Sequence, residues 1–224
     1  MSVTNFKIKT AMNNREQTLE EERINAITHG LGIVFTLFAI PVLLKKTYVT
    51  GSFYAYWAVL IFGFGMLAVY SFSTLYHSTK ASKLKHTFNI YDQASIFILI
   101  GGSYLPFLQH YIDAQTATIF LIFQWLVIGI GVFLKVVSIK KHENILFWVY
   151  ITLGWSVVLL VKPLTQSMHS EVAKWIVLGG ISYSIGAFFY RWKSKKYAHA
   201  VWHIFVLGGT ICHYWAAYRM YELG

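Results

Sequence analysis

Long apolar stretches separated by short polar segments make up most of this chain of 224 residues. A helix that spans a bilayer needs roughly 20 mostly apolar residues. By that rule the sequence predicts an all-α integral membrane bundle of seven transmembrane helices, at residues 25–44, 52–77, 87–108, 114–134, 144–161, 172–190 and 197–218. A count of six stays open if the weaker fifth and sixth stretches are misread, because Lys162 and Lys174 bracket a region that is only modestly apolar.

The residues before the first apolar stretch divide into two parts. Residues 1–17 are polar and predict a tail, without the short apolar core that is typical of a cleavable signal peptide. Thr18 and Glu21 have the spacing of a capping box, so residues 18–24 predict a short interfacial helix. Residues 25–220 are then expected to form a single seven-helix transmembrane domain.

The composition agrees with a protein of the bilayer. Charged residues make up 12% of the chain, whereas soluble domains carry about 25%. The net charge of +10 could indicate nucleic-acid binding, but the lysines fall in short loops and form no basic face. We therefore expect membrane lipids, and no nucleic acid, as partners. Cys212 is the only cysteine, which excludes an intramolecular disulfide and a zinc cage built from cysteines.

The distribution of basic residues predicts the orientation. One side of the predicted bundle carries 14 of the 19 lysines and arginines, namely Lys7, Lys9, Arg15, Arg23, Lys80, Lys83, Lys85, Lys135, Lys140, Lys141, Arg191, Lys193, Lys195 and Lys196. The other side carries Lys45, Lys46, Lys162, Lys174 and Arg219. Because basic loops stay in the cytoplasm, we expect a multi-pass protein of the cell membrane with a cytoplasmic N-terminus and an external C-terminus.

A small set of polar residues lies inside the apolar stretches. His199 and His203 are four residues apart near the start of the last stretch, so both can reach one metal ion from the same helix face. His77 ends the second stretch and Asp92 opens the third, and the predicted topology places all four near the cytoplasmic face. No other acidic residue occurs between positions 22 and 113. An ionisable group inside a span indicates a functional site by default.

We interpret His77, His199 and His203 as ligands of a zinc ion, because three histidine nitrogens and a water form the ligand set of a catalytic zinc site. Asp92 would hold or deprotonate the zinc-bound water, with Ser73 as a hydrogen-bonding group beside it. A direct bond from Asp92 to the metal stays open. So does the interpretation in which the histidines only form hydrogen bonds across helices.

Three further polar residues are expected to lie outside the ligand set. Asn25 and His29 are one turn apart at the start of the first stretch, and we expect them to support the site rather than bind the metal. His213 follows His203 by ten residues, which is about 15 Å along a helix axis at 1.5 Å per residue. It is therefore too far away to join the same metal.

Four segments together resemble the hemolysin III family, the bacterial branch of the progestin and adipoQ receptor superfamily, which is distantly related to alkaline ceramidases. They are Glu22-x-x-Asn25-x-x-x-His29, Ser73-x-x-x-His77, the Asp92 segment followed by Gly102-Ser103-Tyr104-Leu105-Pro106, and His199-x-x-x-His203. The resemblance covers about residues 22–214. It implies a seven-helix bundle with a cytoplasmic N-terminus, and zinc held by His77, His199 and His203 with Asp92 and Ser73 at the zinc-bound water.

The open zinc site and the resemblance together predict a zinc-dependent hydrolase of a lipid amide or ester. Such a ceramidase-like enzyme would take part in membrane lipid homeostasis. Two other functions stay open: a cytolytic or membrane-perturbing protein without catalysis, as the family name suggests, and a receptor or sensor stabilised by structural zinc.

Overall fold

The computed structural model describes residues 15–80, 82–137 and 143–223, and these residues form helices and no β-strand. Their eight α-helices are α1 (Leu19–Thr50), α2 (Phe53–Ser78), α3 (Lys83–Tyr111), α4 (Ala114–Val137), α5 (Glu143–Gly154), α6 (Val161–Ser167), α7 (Ser170–Arg191) and α8 (Ala198–Leu223). A 3₁₀ helix, Ser156–Leu160, joins α5 to α6. The all-α prediction is confirmed. The first fourteen residues of the predicted tail, with Lys7 and Lys9, lie outside the described residues, as do Lys140 and Lys141.

Five segments of the described residues are long and apolar enough to cross a membrane: Leu19–Thr50, Phe53–Ser78, Ala114–Val137, Glu143–Ser167 and Ser170–Arg191. Helices α3 and α8 are comparably long but less apolar. The fifth and sixth apolar stretches, for which the sequence left a count of six spans open, are thus among the five segments that could cross a membrane. The two less apolar helices are the ones that carry Asp92, His199 and His203.

Side-chain signals in the sequence mark the helix ends. Thr18 caps α1, and the predicted capping box with Glu21 is present. Helix α1 then continues without a break through residue 24 to Thr50, so residues 18–24 form its cap and first turns. Gly51 ends α1 with a φ of +65°, a left-handed conformation that glycine adopts at low cost. Ser52 caps α2 through a hydrogen bond to the main chain.

The fifth apolar stretch is interrupted, where the sequence predicts one continuous span. After α5 ends at Gly154, the main chain changes to the 3₁₀ helix. The hydroxyl of Tyr104 on α3 lies at this point. Its single proton is shared between the carbonyls of Leu153 and Gly154, at 2.9 and 2.7 Å, and its oxygen accepts from the main-chain N–H of Val157 at 3.1 Å. Such a partner makes a broken helix tolerable at membrane depth, because no water is there to satisfy the main chain.

The bundle is apolar outside and partly polar inside. Helix α1 packs on α2 and α8, α2 on α3, α3 on α4, and α7 on α8. Large apolar side chains on several helices are exposed, among them Phe38, Phe123, Phe133 and Phe188. The buried side chains include Asn25, His29, Thr36, Ser73, His77, Asp92, Gln124, Lys135, His203 and Thr210. An apolar exterior suits contact with lipid chains, and the buried polar residues are left to interact with one another or with ligands.

Two glycines bring α2 and α3 into close contact. A Cβ atom on Gly65 would lie 2.9 Å from Cα of Leu99, and one on Gly102 would lie 3.0 Å from Cα of Phe62. Small residues at such positions let two helix backbones approach, as is common between membrane helices. The contact aligns the end of α2, which carries His77, with the start of α3, which carries Asp92. We call this the His77 end of the bundle; it also holds the starts of α1 and α8.

Candidate metal centre

Three histidine rings from two helices meet at the His77 end. His77 lies in the last turn of α2, and His199 and His203 are one turn apart at the start of α8. One ring nitrogen of each lies within 4.8 Å of the other two, and the Nε2 atoms of His77 and His199 are 3.2 Å apart. Two nitrogens bound tetrahedrally to one zinc at 2.0–2.1 Å would be roughly 3.3 Å apart. The three histidines could therefore hold one metal ion.

Glu22 on α1 positions the ring of His77. Because a carboxylate only accepts, Nδ1–H of His77 donates to Oε2 of Glu22, at 2.6 Å. The proton on Nδ1 leaves the lone pair on Nε2, the atom that faces His199. The other oxygen of Glu22 accepts from Nζ of Lys85 at 2.9 Å. A carboxylate behind a metal-binding histidine fixes the ring's tautomer and orientation and increases its basicity.

His203 has the same tautomer for a similar reason. Its Nδ1 is 3.2 Å from the main-chain carbonyl of Asn25 and 3.1 Å from Oγ1 of Thr28. The carbonyl only accepts, so Nδ1 carries the proton and Nε2 carries the lone pair. Nε2 is buried and has no hydrogen-bond partner among the residues that the structure describes. The structure thus leaves a free nitrogen on His203 next to the other two rings.

The two residues expected to support the site both contact its surroundings. Asn25 contributes its main-chain carbonyl to His203, while its side-chain amide donates to Gln17 at 2.7 Å. His29 stacks on His203, with the ring centroids 3.5 Å apart. His29 is fully buried, and within the described parts of the chain neither of its ring nitrogens has a hydrogen-bond partner.

Asp92 lies near the histidines but outside their cluster, and Ser73 lies one helical turn before His77 on α2. The group of ligand atoms within 4.8 Å of one another comprises the three histidines and not Asp92. Asp92 lines a cavity of about 1330 Å³ together with His77 and His199. Oδ1 of Asp92 and Oγ of Ser73 are buried, with no hydrogen-bond partner in the described residues. A buried polar atom without a partner is costly, so both atoms lack a compensating interaction within the described chain.

A second cavity, of about 200 Å³, extends through the middle of the bundle between α3, α5, α7 and α8. Its walls are mostly apolar, with residues such as Val69, Leu99 and Val206. His29 also lines it, so the cavity reaches the ring that stacks on His203. An apolar cavity that extends to a candidate metal site can hold an apolar chain whose polar end lies near that site.

Glu22 and Thr28 are site residues that the sequence analysis did not assign. Glu22 belongs to one of the motifs of the resemblance, and its carboxylate accepts a hydrogen bond from His77. Its position was a usable signal, because Glu22, Asn25 and His29 follow each other at helical spacing and so share one face of α1. Thr28 gave no such signal, since small hydroxyl residues occur throughout the apolar stretches.

The helices and the histidine cluster together define a class: a multi-pass helical membrane protein with a largely buried cluster of histidines that could bind a metal. Comparison with known proteins identifies the family. Residues 17–214 match the model of the haemolysin-III related family. The chain therefore belongs to the hemolysin III family, within the progestin and adipoQ receptor superfamily, and the resemblance predicted from its motifs is confirmed.

Three relatives span a range of similarity. The Hemolysin-3 homolog of Bacillus subtilis (strain 168) is 37% identical over 193 residues, which cover 86% of this chain and 91% of that protein. Hemolysin-3 of Bacillus cereus is 34% identical over 200 residues, covering 89% and 91%. The ADIPOR-like receptor IZH2 of Saccharomyces cerevisiae is 23% identical over 236 residues, covering 92% and 73%.

Proposed function

We propose that this protein is a zinc-dependent hydrolase that cleaves an amide or ester bond of a membrane lipid. The observation that carries the proposal is the convergence of His77, His199 and His203. In two of these rings, His77 and His203, a hydrogen bond holds the proton on Nδ1 and leaves the lone pair on Nε2. Three imidazole ligands suit zinc and leave a fourth position for water or substrate, as in catalytic zinc sites.

The proposed topology has seven spans and a cytoplasmic N-terminus. Helices α1 to α4 would each cross the membrane once, the segment from α5 to α6 would form the fifth span, and α7 and α8 would complete the bundle. The excess of basic residues on one side of this arrangement supports that orientation. The site would then lie near the cytoplasmic face of a plasma membrane, where lipid headgroups and cytoplasmic water are both within reach.

The residues of the chain suggest how such a site would work. Zinc at this position would act as a Lewis acid on the lipid carbonyl and would activate water. Asp92 would take the proton of the attacking water on its carboxylate, since it faces the same cavity as two of the histidines. Ser73 would donate a hydrogen bond beside it, and the apolar cavity would hold an acyl chain away from water. Glu22 would keep the lone pair of His77 on Nε2.

Metal analysis and lipid turnover together test the proposal. We expect one zinc per chain in full-length protein purified without chelator, and turnover of a lipid extract that EDTA abolishes. His203→Ala should lower zinc content and turnover together, because two ligands hold the metal poorly. His110→Ala, at the opposite end of α3, is the matched control and should keep both. Less than a tenth of an equivalent of zinc in the unmodified protein would contradict the proposal.

Asp92→Asn separates a proton acceptor from a direct ligand. If Asp92 acts on water, the variant should keep its zinc through the three histidines and lose turnover. Asp113→Asn, in the loop before α4, is the control and should keep full activity. Full activity in Asp92→Asn would exclude the role of base, and loss of zinc with activity would make Asp92 a metal ligand.

One alternative, a membrane-perturbing protein without catalysis, is favoured by the name of the Bacillus cereus relative, Hemolysin-3. Dye release from protein-free liposomes distinguishes it from a hydrolase. Leakage that is unaffected by EDTA and by His77→Ala, without any lipid turnover, would support that alternative and exclude ours. A receptor with structural zinc would instead lose thermal stability in EDTA and show no turnover.

A further inference from the structure

A further histidine lines the apolar cavity, about 15 Å along α8 from the metal centre. His213 is on α8, ten residues beyond His203, and lines the same cavity as His29. Its ring packs against Gly179 on α7 so closely that a Cβ atom there would lie 2.2 Å from Cδ2 of His213. The absence of a side chain at Gly179 thus makes the space in which His213 sits. The function proposed above assigns no role to this residue.

The surroundings of His213 leave one nitrogen as an unpaired acceptor. Nε2 is 3.3 Å from the main-chain carbonyl of Ile176, which only accepts, so the proton lies on Nε2 and the lone pair on Nδ1. Nδ1 is buried and has no hydrogen-bond partner among the described residues. Tyr183 contacts the ring edge-on, but its hydroxyl is paired with Thr210 at 2.9 Å. Nδ1 therefore lacks a donor, and His213 belongs to the wall of the cavity.

The wall of the cavity includes residues near the metal centre as well as His213. His203 and His213 are separated by about 15 Å along α8, and His29 lies beside His203. The walls between the two ends are apolar, with residues such as Leu99, Ile100 and Val206. A lipid whose polar head lies at the metal centre would place the middle of its acyl chain beside His213.

We propose that His213 is a second polar subsite of the cavity, where Nδ1 accepts a hydrogen bond from a hydroxyl group in the middle of a bound acyl chain. The inference rests on the proposed function for its occupant, a lipid with its polar head at the histidine cluster. It narrows the substrate class to acyl lipids that are hydroxylated at mid-chain. A buried acceptor disfavours a chain without a hydroxyl group, because binding of that chain leaves the acceptor desolvated and without a hydrogen bond.

Binding of three free fatty acids to the full-length protein in phosphatidylcholine nanodiscs tests the subsite. The probes are stearate, 12-hydroxystearate and 2-hydroxystearate, whose hydroxyl lies next to the carboxylate. We expect the mid-chain hydroxyl to improve affinity about tenfold, or about 1.4 kcal/mol. In zinc-stripped protein, where the 2-hydroxy acid has no metal to chelate, the hydroxyl beside the carboxylate should leave affinity unchanged. His213→Phe should remove this preference, and His213→Asn, which retains an acceptor near the position of Nδ1, should restore part of it. His110→Phe, outside the cavity lining, is the matched control.

Measurements on zinc-stripped protein separate this inference from the proposed function. The ratio of affinities for 12-hydroxystearate and stearate should persist without zinc, because it arises at His213 and not at the metal centre. A persistent ratio in a protein without lipid turnover would uphold the subsite and exclude the hydrolase. Equal affinities for the two acids, or a ratio that His213→Phe leaves unchanged in protein of normal melting temperature, would overturn the subsite whatever the turnover.

Discussion

Replacing Glu22 by glutamine should weaken metal binding without removing a ligand. The carboxylate accepts from Nδ1 of His77 at 2.6 Å and from Nζ of Lys85 at 2.9 Å. Glutamine is nearly the same size but neutral, so its hydrogen bond to His77 loses the charge that makes such bonds about twice as strong. The positive charge of Lys85 also loses its partner near the bound cation. Loss of a partner behind a metal ligand typically costs 10–100-fold in metal affinity, or about 1.4–2.7 kcal/mol.

Competition with a zinc-binding fluorophore on full-length protein in detergent measures this effect. The matched control is Glu20→Gln on the same helix, where an exposed carboxylate pairs with Lys196 at 3.2 Å. An exposed pair of this kind contributes little, so the control should bind zinc within about twofold of the unmodified protein. The melting temperature of zinc-free protein shows whether the fold is intact. Unchanged zinc affinity in a folded Glu22→Gln protein would refute the idea that Glu22 positions His77.

Two further predictions concern the second contact of the site and the packing that aligns it. Thr28→Val removes the hydroxyl 3.1 Å from Nδ1 of His203 but leaves the carbonyl of Asn25. Zinc affinity in the same assay should therefore fall by no more than about tenfold, the value of one hydrogen bond. A complete loss of zinc would contradict this. Gly102→Ala places a Cβ atom 3.0 Å from Cα of Phe62 and should destabilise the fold by about 1–3 kcal/mol in denaturant unfolding. The control Gly129→Ala, whose Cβ atom has nothing within 4 Å, should leave stability unchanged. Equal stability of the two variants would show that the fold does not need the close contact of α2 and α3.

The helices of this protein could be predicted from the sequence because their signals are local. A stretch of roughly 20 apolar residues must form hydrogen bonds within itself in a membrane, and a helix does so. The caps Thr18 and Ser52 and the left-handed Gly51 act through main-chain atoms only a few residues away. The break after Gly154 was not predicted, because it depends on a hydroxyl of α3.

The candidate site could be predicted from the sequence only in part. The spacing of His199 and His203 determines that they share a helix face, and the predicted topology places His77 at the same depth. Tertiary structure alone decided that one nitrogen of each ring comes within 4.8 Å of the others, that Glu22 contacts His77, and that His213 faces the same cavity as His29. Helical periodicity determines the direction of a side chain around its own axis, whereas the distance between side chains on different helices depends on close packing, such as that of Gly65 against α3 and of Gly179 against His213.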